Sequence, residues 1–425
     1  MTRLRRRELL AAAIAGAGLS FTDVFRGASA QTASTKHLVF VFLRGGADAL
    51  GLVTPLGAEA ALLRAARPTL AIAAPIALSP TLGLNPGFAP WLGDADLMND
   101  LNVIVHAGSV NETRSHFEQM DHIETGDSVN LPATGFLGVG ARAAAWNSAA
   151  LGTISPASLR GTNPVVMADP ARVRPDFAYG SLKPGMSRAT RMNLMKGATG
   201  TGADARVDGL ARDSEAQMNL LASQLGSVSL ADLTGRGGYV SASPFTFGPR
   251  LALAAALMGT TFRPAFLTVD AEHQWDTHAY EDVNNPTAYY SISRKAQDLA
   301  KNLLAFKRDL TARGKWESTV VVVMSEFGRT VKENGTRGTD HGRGGVMFLM
   351  GGPVRAHADP AYLGRRSLMI PEAPGASTPL EVVHDYRLVM GEVLERHMAM
   401  PRATVLSLFR PEGSVSPESY LNVIR

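Results

Sequence analysis

Residues Thr319 to Arg355 read TVVVVMSEFGRTVKENGTRGTDHGRGGVMFLMGGPVR, and this stretch decides what kind of fold the chain can adopt. It carries two apolar runs, Val320 to Met324 and Val346 to Met350, each rich in residues that suit a strand buried on both faces. Between them lies a polar, glycine-rich loop with Glu326, Arg329, Asp340, His341 and Arg343. In open α/β sheets, ligands bind in the crevice outside the carboxyl ends of the strands, so acids and an imidazole just past one strand mark the place to expect an active site. The structural alternative is a solvated turn, the common fate of charged glycine-rich loops.

Working outward, 425 residues with 45% apolar content can bury a large core in one big domain or two ordinary ones. The first thirty residues have the parts of an export signal. Arg5, Arg6 and Arg7 precede Glu8, Leu9 and Leu10, an Ala/Gly/Leu run reaches Leu19, and Ala28-Ser29-Ala30 offers small residues for cleavage before Gln31. Twin arginines predict the Tat route, with the Tat translocon as export partner and a periplasmic mature protein. An amphipathic helix fits poorly, because nearly every side of the run is apolar or small. Arg3, Arg5, Arg6, Arg7 and Arg26 against Glu8 and Asp23 supply +3 of the formal +4, leaving +1 after cleavage and no nucleic-acid footprint. The chain has no cysteine, so any metal must be held by carboxylate, imidazole or hydroxyl groups. No later apolar stretch is long enough to span a bilayer.

His37 to Leu43 predicts a buried strand that runs into Arg44-Gly45-Gly46-Ala47-Asp48. The turn lacks G-x-G-x-x-G, and Asp48 is either a carboxylate ligand or a helix cap. Pro, Ala, Gly and Leu alternate over residues 54–90 and suggest surface loops, and Leu101 to His106 predicts the next strand. Ser115 and Glu118 then have the S-x-x-E spacing of a capping box. The same geometry would set the Ser115 hydroxyl at the positive end of a helix, where an anionic ester is bound and an attacking oxygen stabilised. His116 beside it fits a base, a ligand or a packing residue.

Phe136 to Thr190 is small-residue and Pro-rich, with a short V-V-M strand at Val165. Helical and loop insertions are expected around 190–245, including a surface helix or helical hairpin over 205–226 and a mobile loop from Thr234 to Tyr239 as a candidate cover for the site. Leu251 to Gly259 predicts a buried helix and Phe266 to Val269 a strand, followed by Asp270-Ala271-Glu272-His273-Gln274-Trp275-Asp276-Thr277-His278. Asp276 and His278 are two apart, so in an extended segment they leave on one face and can share an ion. An isolated His near a Trp is usually a packed residue, but the accompanying acid, hydroxyl and second imidazole favour a ligand. An amphipathic helix is expected from Ala288 to Arg313, and Asp385 in His384-Asp385-Tyr386-Arg387 is a candidate cap.

Asp48, Ser115, Asp276 to His278 and Glu326 to His341 all follow predicted strands or open predicted helices, so a shared site is expected. Carboxylates and imidazoles without thiolate suit Zn, Mn or related divalent ions, one or two of them; two ions roughly 4 Å apart would clamp an in-line displacement. Arg44, Arg329 or Arg343 could hold the remaining oxygens of a small anionic ester.

Taken together, R-G-G-A-D at Arg44 to Asp48, S-H-F at Ser115 to Phe117, W-D-T-H at Trp275 to His278, S-E-F-G-R-T at Ser325 to Thr330 and T-D-H-G-R-G at Thr339 to Gly344 resemble the exported bacterial family of domain of unknown function 1501. That family is similar to the alkaline phosphatase and sulfatase superfamily. The resemblance implies a single alkaline-phosphatase-like domain over 31–425, a three-layer α/β/α sandwich around a large, mostly parallel sheet. It further implies Ser115 as nucleophile, Asp48 as the first-strand ligand and Asp276 with His278 as a ligand pair, while Glu326 stands where the superfamily usually has Asp-His and Asp340-His341 comes later. With the reading of the residues, the expected site is Ser115, His116 and Arg329 for catalysis and Asp48, Asp276, His278, Glu326, Asp340 and His341 for metal. The sulfatase maturation pattern is absent near Ser115. The expectation is therefore a periplasmic, metal-dependent hydrolase of phosphate esters, with sulfate esters second. The alternative is a non-catalytic exported binding or assembly protein that keeps the fold, and a third reading is phosphoryl transfer to another acceptor.

Overall fold

The computed structural model describes residues 33–425 apart from 153–154, 163, 168–220, 222, 226–229, 241–245, 289, 357–369 and 412. The expected signal at 1–30 and much of the expected insertion at 190–245 lie outside the described residues.

The strands are β1 His37–Phe42, β2 Val53–Pro55, β3 Ile76–Ala77, β4 Leu82–Leu84, β5 Leu101–Gly108, β6 Ser148–Leu151, β7 Val165–Met167, β8 Phe266–Asp270, β9 Thr319–Met324, β10 Gly345–Met350 and β11 His384–Asp385. Eight form one sheet in the order β11-β5-β10-β9-β1-β8-β6-β7, and β2-β4-β3 form a small second sheet. Successive side chains of a strand point to opposite faces, and the burial follows that rule. Val39, Val41, Val321 and Val323 enter one core, whereas Leu38, Phe40, Phe42, Val320, Val322 and Met324 enter the other. Helices Phe247–Met258 and Ile292–Ala312 close the first core; Phe136–Ala144 and Tyr386–Glu392 close the second. The chain is thus of the α/β class.

The long helix shows why the sequence folds this way locally. Ile292, Ala296, Leu299, Leu303, Phe306 and Leu310 recur at the helical period and are all buried. The Ser291 side chain caps it by accepting from Arg294 N at 3.3 Å, which starts the helix later than the expected Ala288. Phe247–Met258 is buried all round, as its apolar sequence requires.

Three expectations are corrected. The sheet is mixed rather than mostly parallel, because β10 runs antiparallel to both β9 and β5. A parallel neighbour needs a crossover, usually a helix, whereas the polar loop from Ser325 to Gly344 simply returns the chain beside the strand it left. The expected loop over the site at Thr234 to Tyr239 instead lies largely in the helix Leu230–Gly237, with the Tyr239 hydroxyl donating to Asp309 at 3.2 Å on the long helix. Residues 54–90 are also not simply surface: Leu63, Leu70, Leu82, Leu84 and Phe88 are core residues. Among the described residues, no helix is long and apolar enough to cross a membrane.

Candidate functional site

Strand register assembles the site. Phe42 of β1 is level with Asp270 of β8 and Met324 of β9, so the segments after these strands leave the sheet at one edge. β5 ends at the same edge, where Ala107 pairs with Gly345. Four segments distant in sequence therefore meet there, carrying Arg44 to Asp48, Asn111 to His116, Ala271 to His278 and Ser325 to His341.

Asp276 stands at the centre. Its Oδ1 accepts from Arg329 Nη2 at 2.6 Å and lies 3.1 Å from His278 Nε2, 3.4 Å from His341 Nε2 and 3.5 Å from His116 Nε2. The Nε2 atoms of His278 and His341 are 2.9 Å apart. His116, Asp276 and His341 each offer a ligand atom within 4.8 Å of the other two, a spacing at which one cation can be held. Asp276 and His278 are about half exposed, so the group opens to solvent.

The opposite ring nitrogens are all tethered. Nδ1 of His116 meets Glu326 Oε1 at 2.7 Å, Nδ1 of His341 meets the Arg114 carbonyl at 2.7 Å, and Nδ1 of His278 meets Asp340 Oδ1 at 3.2 Å. Carbonyls and carboxylates only accept, so each Nδ1 carries a hydrogen, and each Nε2 presents a lone pair whenever its ring is neutral. Lone pairs cannot satisfy one another; a proton or a cation must stand between them. Among the described residues, His116 Nε2 is buried and finds no partner within hydrogen-bonding geometry, the nearest carboxylate oxygen being that of Asp276 at 3.5 Å. Burial alone lowers the His116 pKa, but the carboxylates of Asp276 and Glu326 outweigh it and raise it to about 9. Burial also opposes ionisation of Asp276, yet the His116 and His341 imidazoles and the Arg329 guanidinium hold its carboxyl far below the usual carboxylate range. Asp340 is lowered too, with Asn334 and His278 overcoming burial.

Arg329 is the framework of the site. It is buried, and donates from Nε to Gly46 O at 2.6 Å, from Nη1 to Thr339 O at 3.1 Å and from Nη2 to Gly45 O at 2.6 Å, besides Asp276. One side chain thus ties the β1 turn to both loops that carry Asp276 and His341. The glycines of that turn are there for packing. A Cβ on Gly45 would lie 2.7 Å from Asp276 N, and one on Gly46 would lie 2.3 Å from the Phe327 ring, at φ of +121° and +64°. Phe327 in turn packs against His116 and His341, with ring centroids 4.8 and 5.0 Å away.

Some of the expected ligands take other places. Asp48 is not brought into the group: both its oxygens accept from buried Arg67, at 2.5 and 2.9 Å. Arg67 also holds the carbonyls of Thr330 and Val331, so this pair braces the loop from beneath. Glu326 is fully buried behind His116, where Oε1 accepts from Gly45 N at 2.8 Å and Oε2 from the Ser325 hydroxyl at 2.9 Å. Asp340 stands behind His278 and accepts from Asn334 Nδ2 at 3.2 Å.

Ser115 is the N-cap residue of helix His116–Thr125 but makes no side-chain capping bond. Glu118 accepts instead from Thr113 Oγ1 at 2.6 Å, so the expected capping box does not form. Ser115 sits between Arg114, whose carbonyl holds His341, and His116. Arg44 is engaged by Glu124 and Asp270, and Arg343 by Glu112 at 3.1 Å. Neither Arg44 nor Arg329 keeps a free face for an ester oxygen. Asp385 does cap its helix, accepting from Arg387 N at 3.0 Å.

Reading the sequence missed Arg67, the Arg114 carbonyl, Phe327 and Asn334. Only the last left a signal, the Asn334-Gly335 turn dipeptide. Its Oδ1 accepts from the backbone N–H of Thr336 and Gly338, and its Nδ2 donates to His278 O at 2.9 Å.

No curated protein matches the chain. The model of the family described as Protein of unknown function (DUF1501) matches residues 202–357, the stretch that holds Asp276, His278, Arg329, Asp340 and His341.

Proposed function

We propose that this chain is an exported, periplasmic, metal-dependent hydrolase of phosphate esters with an alkaline-phosphatase-like arrangement, and that Ser115 is its nucleophile. One observation carries the reading: the Nε2 atoms of His116, His278 and His341 converge on a carboxylate oxygen of Asp276, and Arg329, the guanidinium that donates to that oxygen, reaches none of the three imidazoles among the hydrogen bonds of the described residues. The tethered Nδ1 atoms match the outer-shell hydrogen bonds that orient metal-bound imidazoles. A divalent ion of the Zn or Mn kind, when bound, supplies a Lewis acid that offsets charge on the ester and favours an ionised oxygen nucleophile.

The chain's own residues have the following parts. Glu326, Asp340 and the Arg114 carbonyl hold the imidazoles in one tautomer, and Arg329 fixes Asp276. The Ser115 hydroxyl, uncommitted to a cap and at the start of a ten-residue helix, attacks phosphorus. Its proton leaves to solvent as the Oγ–P bond forms and the bond to the leaving alkoxide breaks, and water then cleaves the phosphoserine. Arg114, next to Ser115 in sequence and exposed, donates from its side chain to the Ser377 carbonyl at 3.4 Å and is the guanidinium we assign to the ester oxygens. Phosphate is preferred to sulfate because the sulfatase maturation pattern is absent near Ser115.

The test is turnover of phosphomonoesters, diesters and sulfates by chelator-free protein with Zn or Mn added, beside the Ser115→Ala variant. Phosphate ester hydrolysis lost in the variant supports the reading. A metal-free protein inert on the whole panel supports the non-catalytic alternative instead.

A further inference from the structure

We infer that the site takes a single divalent ion in a four-ligand cage of His116, His278, His341 and Asp276, and that the remaining acids of the neighbourhood serve as supports for the cage. This rests on the metal-dependent reading above and narrows it from one or two ions to one.

The first reason is geometric. A tetrahedral ion with arms of about 2.05 Å has ligand atoms about 3.3 Å apart along each edge. The separations of Asp276 Oδ1 from the three Nε2 atoms, 3.1, 3.4 and 3.5 Å, and the 2.9 Å between His278 and His341, scatter around that length. These are four of the six edges: His116, Asp276 and His341 already share one centre, and a small movement of the half-exposed His278 ring towards it completes the four.

The second reason is a tally of oxygens. A second ion would need its own carboxylates, and those within reach are engaged. Asp48 gives both oxygens to Arg67, and the pair is buried. Glu326 gives Oε1 to His116 and Gly45 and lies with Oε2 against Ser325. Asp340 gives Oδ1 to His278 and Asn334. Among the described residues this leaves Oδ2 of Asp276 and Oδ2 of Asp340, on side chains about half exposed, which is too few donors for a dedicated cage. Three nitrogens to one oxygen also selects a borderline ion such as Zn over the harder Mn, Mg or Ca.

The experiment is metal analysis of the full chain stripped with chelator, reloaded with excess Zn and desalted, together with the Co(II)-substituted protein's visible spectrum. One equivalent of Zn and the intense absorption of four-coordinate Co(II) are expected. Two equivalents, or the weak absorption of six-coordinate Co(II), would overturn the single-ion cage. Retention of no metal would overturn both it and the metal-dependent reading. One equivalent without any ester turnover leaves the cage standing and overturns the hydrolase alone. As a second check, His278→Asn should weaken Zn binding by more than about 10-fold, and Asp48→Asn combined with Arg67→Met, which removes both buried charges together, should still bind one equivalent. A folded double variant without metal would show that the ion depends on the Asp48–Arg67 pair and contradict a cage complete in its four ligands.

Discussion

His278 and His341 face each other through their Nε2 atoms at 2.9 Å, while their Nδ1 atoms are held by Asp340 and by the Arg114 carbonyl. Two nitrogens that are both acceptors do not remain at that distance unless a proton or a cation stands between them. Zinc at about 100 times its dissociation constant should accordingly stabilise the fold by about 2.7 kcal/mol, seen as a raised melting temperature that chelator reverses. An unchanged melting temperature on adding and removing zinc would count against the ion.

Ser115 separates a structural hydroxyl from a chemical one. It makes no capping bond, so Ser115→Ala should change unfolding free energy by less than about 0.5 kcal/mol, below the roughly 1 kcal/mol typical of a lost cap. Ester turnover should fall by orders of magnitude with metal content unaltered. A variant that melts early but keeps its activity would return Ser115 to a capping role.

Asp48 and Arg67 form a bidentate pair with almost no exposure. Removing one partner leaves the other charge buried, and Asp48→Ala should cost about 3–5 kcal/mol in urea unfolding. A loss near zero would mean that the pair is not what braces the Thr330–Val331 segment.

Arg329 donates to the carbonyls of Gly45, Gly46 and Thr339 as well as to Asp276. Lysine cannot reproduce a planar fork, so Arg329→Lys should both destabilise the fold by about 2–4 kcal/mol and loosen zinc binding. Calorimetric titration beside thermal melts checks the two effects together, and a fully tolerated lysine would contradict the framework role.

Acid should weaken the fold from the opposite end of the sheet. Burial lowers the pKa values of His37 and His397 from 6.5 to about 4, against the partial support of carbonyl contacts at Pro264 and His37. Below pH 6.5 the unfolded chain takes up protons that the folded chain refuses. This contribution is therefore complete above pH 6.5 and is lost as pH falls towards 4, on the order of 3 kcal/mol for each residue. His397→Gln, which keeps a donor near Nε2, should flatten unfolding free energy against pH over that window, and an unchanged slope would rule the residue out.

How far the sequence could be read depended on where each partner lay. β1, β9 and β10 stand out because continuous β-branched and apolar runs can only be buried strands. The Asp276 and His278 pair stands out because period two is visible locally. The direction of β10 does not, since it is set by the absence of a crossover helix, not by the strand's own residues. Asp48 was open to a ligand reading because its partner lies 19 residues on, in a segment that resembled surface loop. The Arg114 contribution is a backbone carbonyl, which no side-chain motif can announce.

The lone-pair arrangement is tested most directly by long-range 1H–15N correlation spectra of the imidazoles of His116, His278 and His341, recorded while zinc is titrated into chelator-stripped protein. The geometry predicts hydrogen on Nδ1 of all three rings and a zinc-induced shift at all three Nε2 atoms together. Hydrogen on Nε2, with no response to zinc, would contradict it.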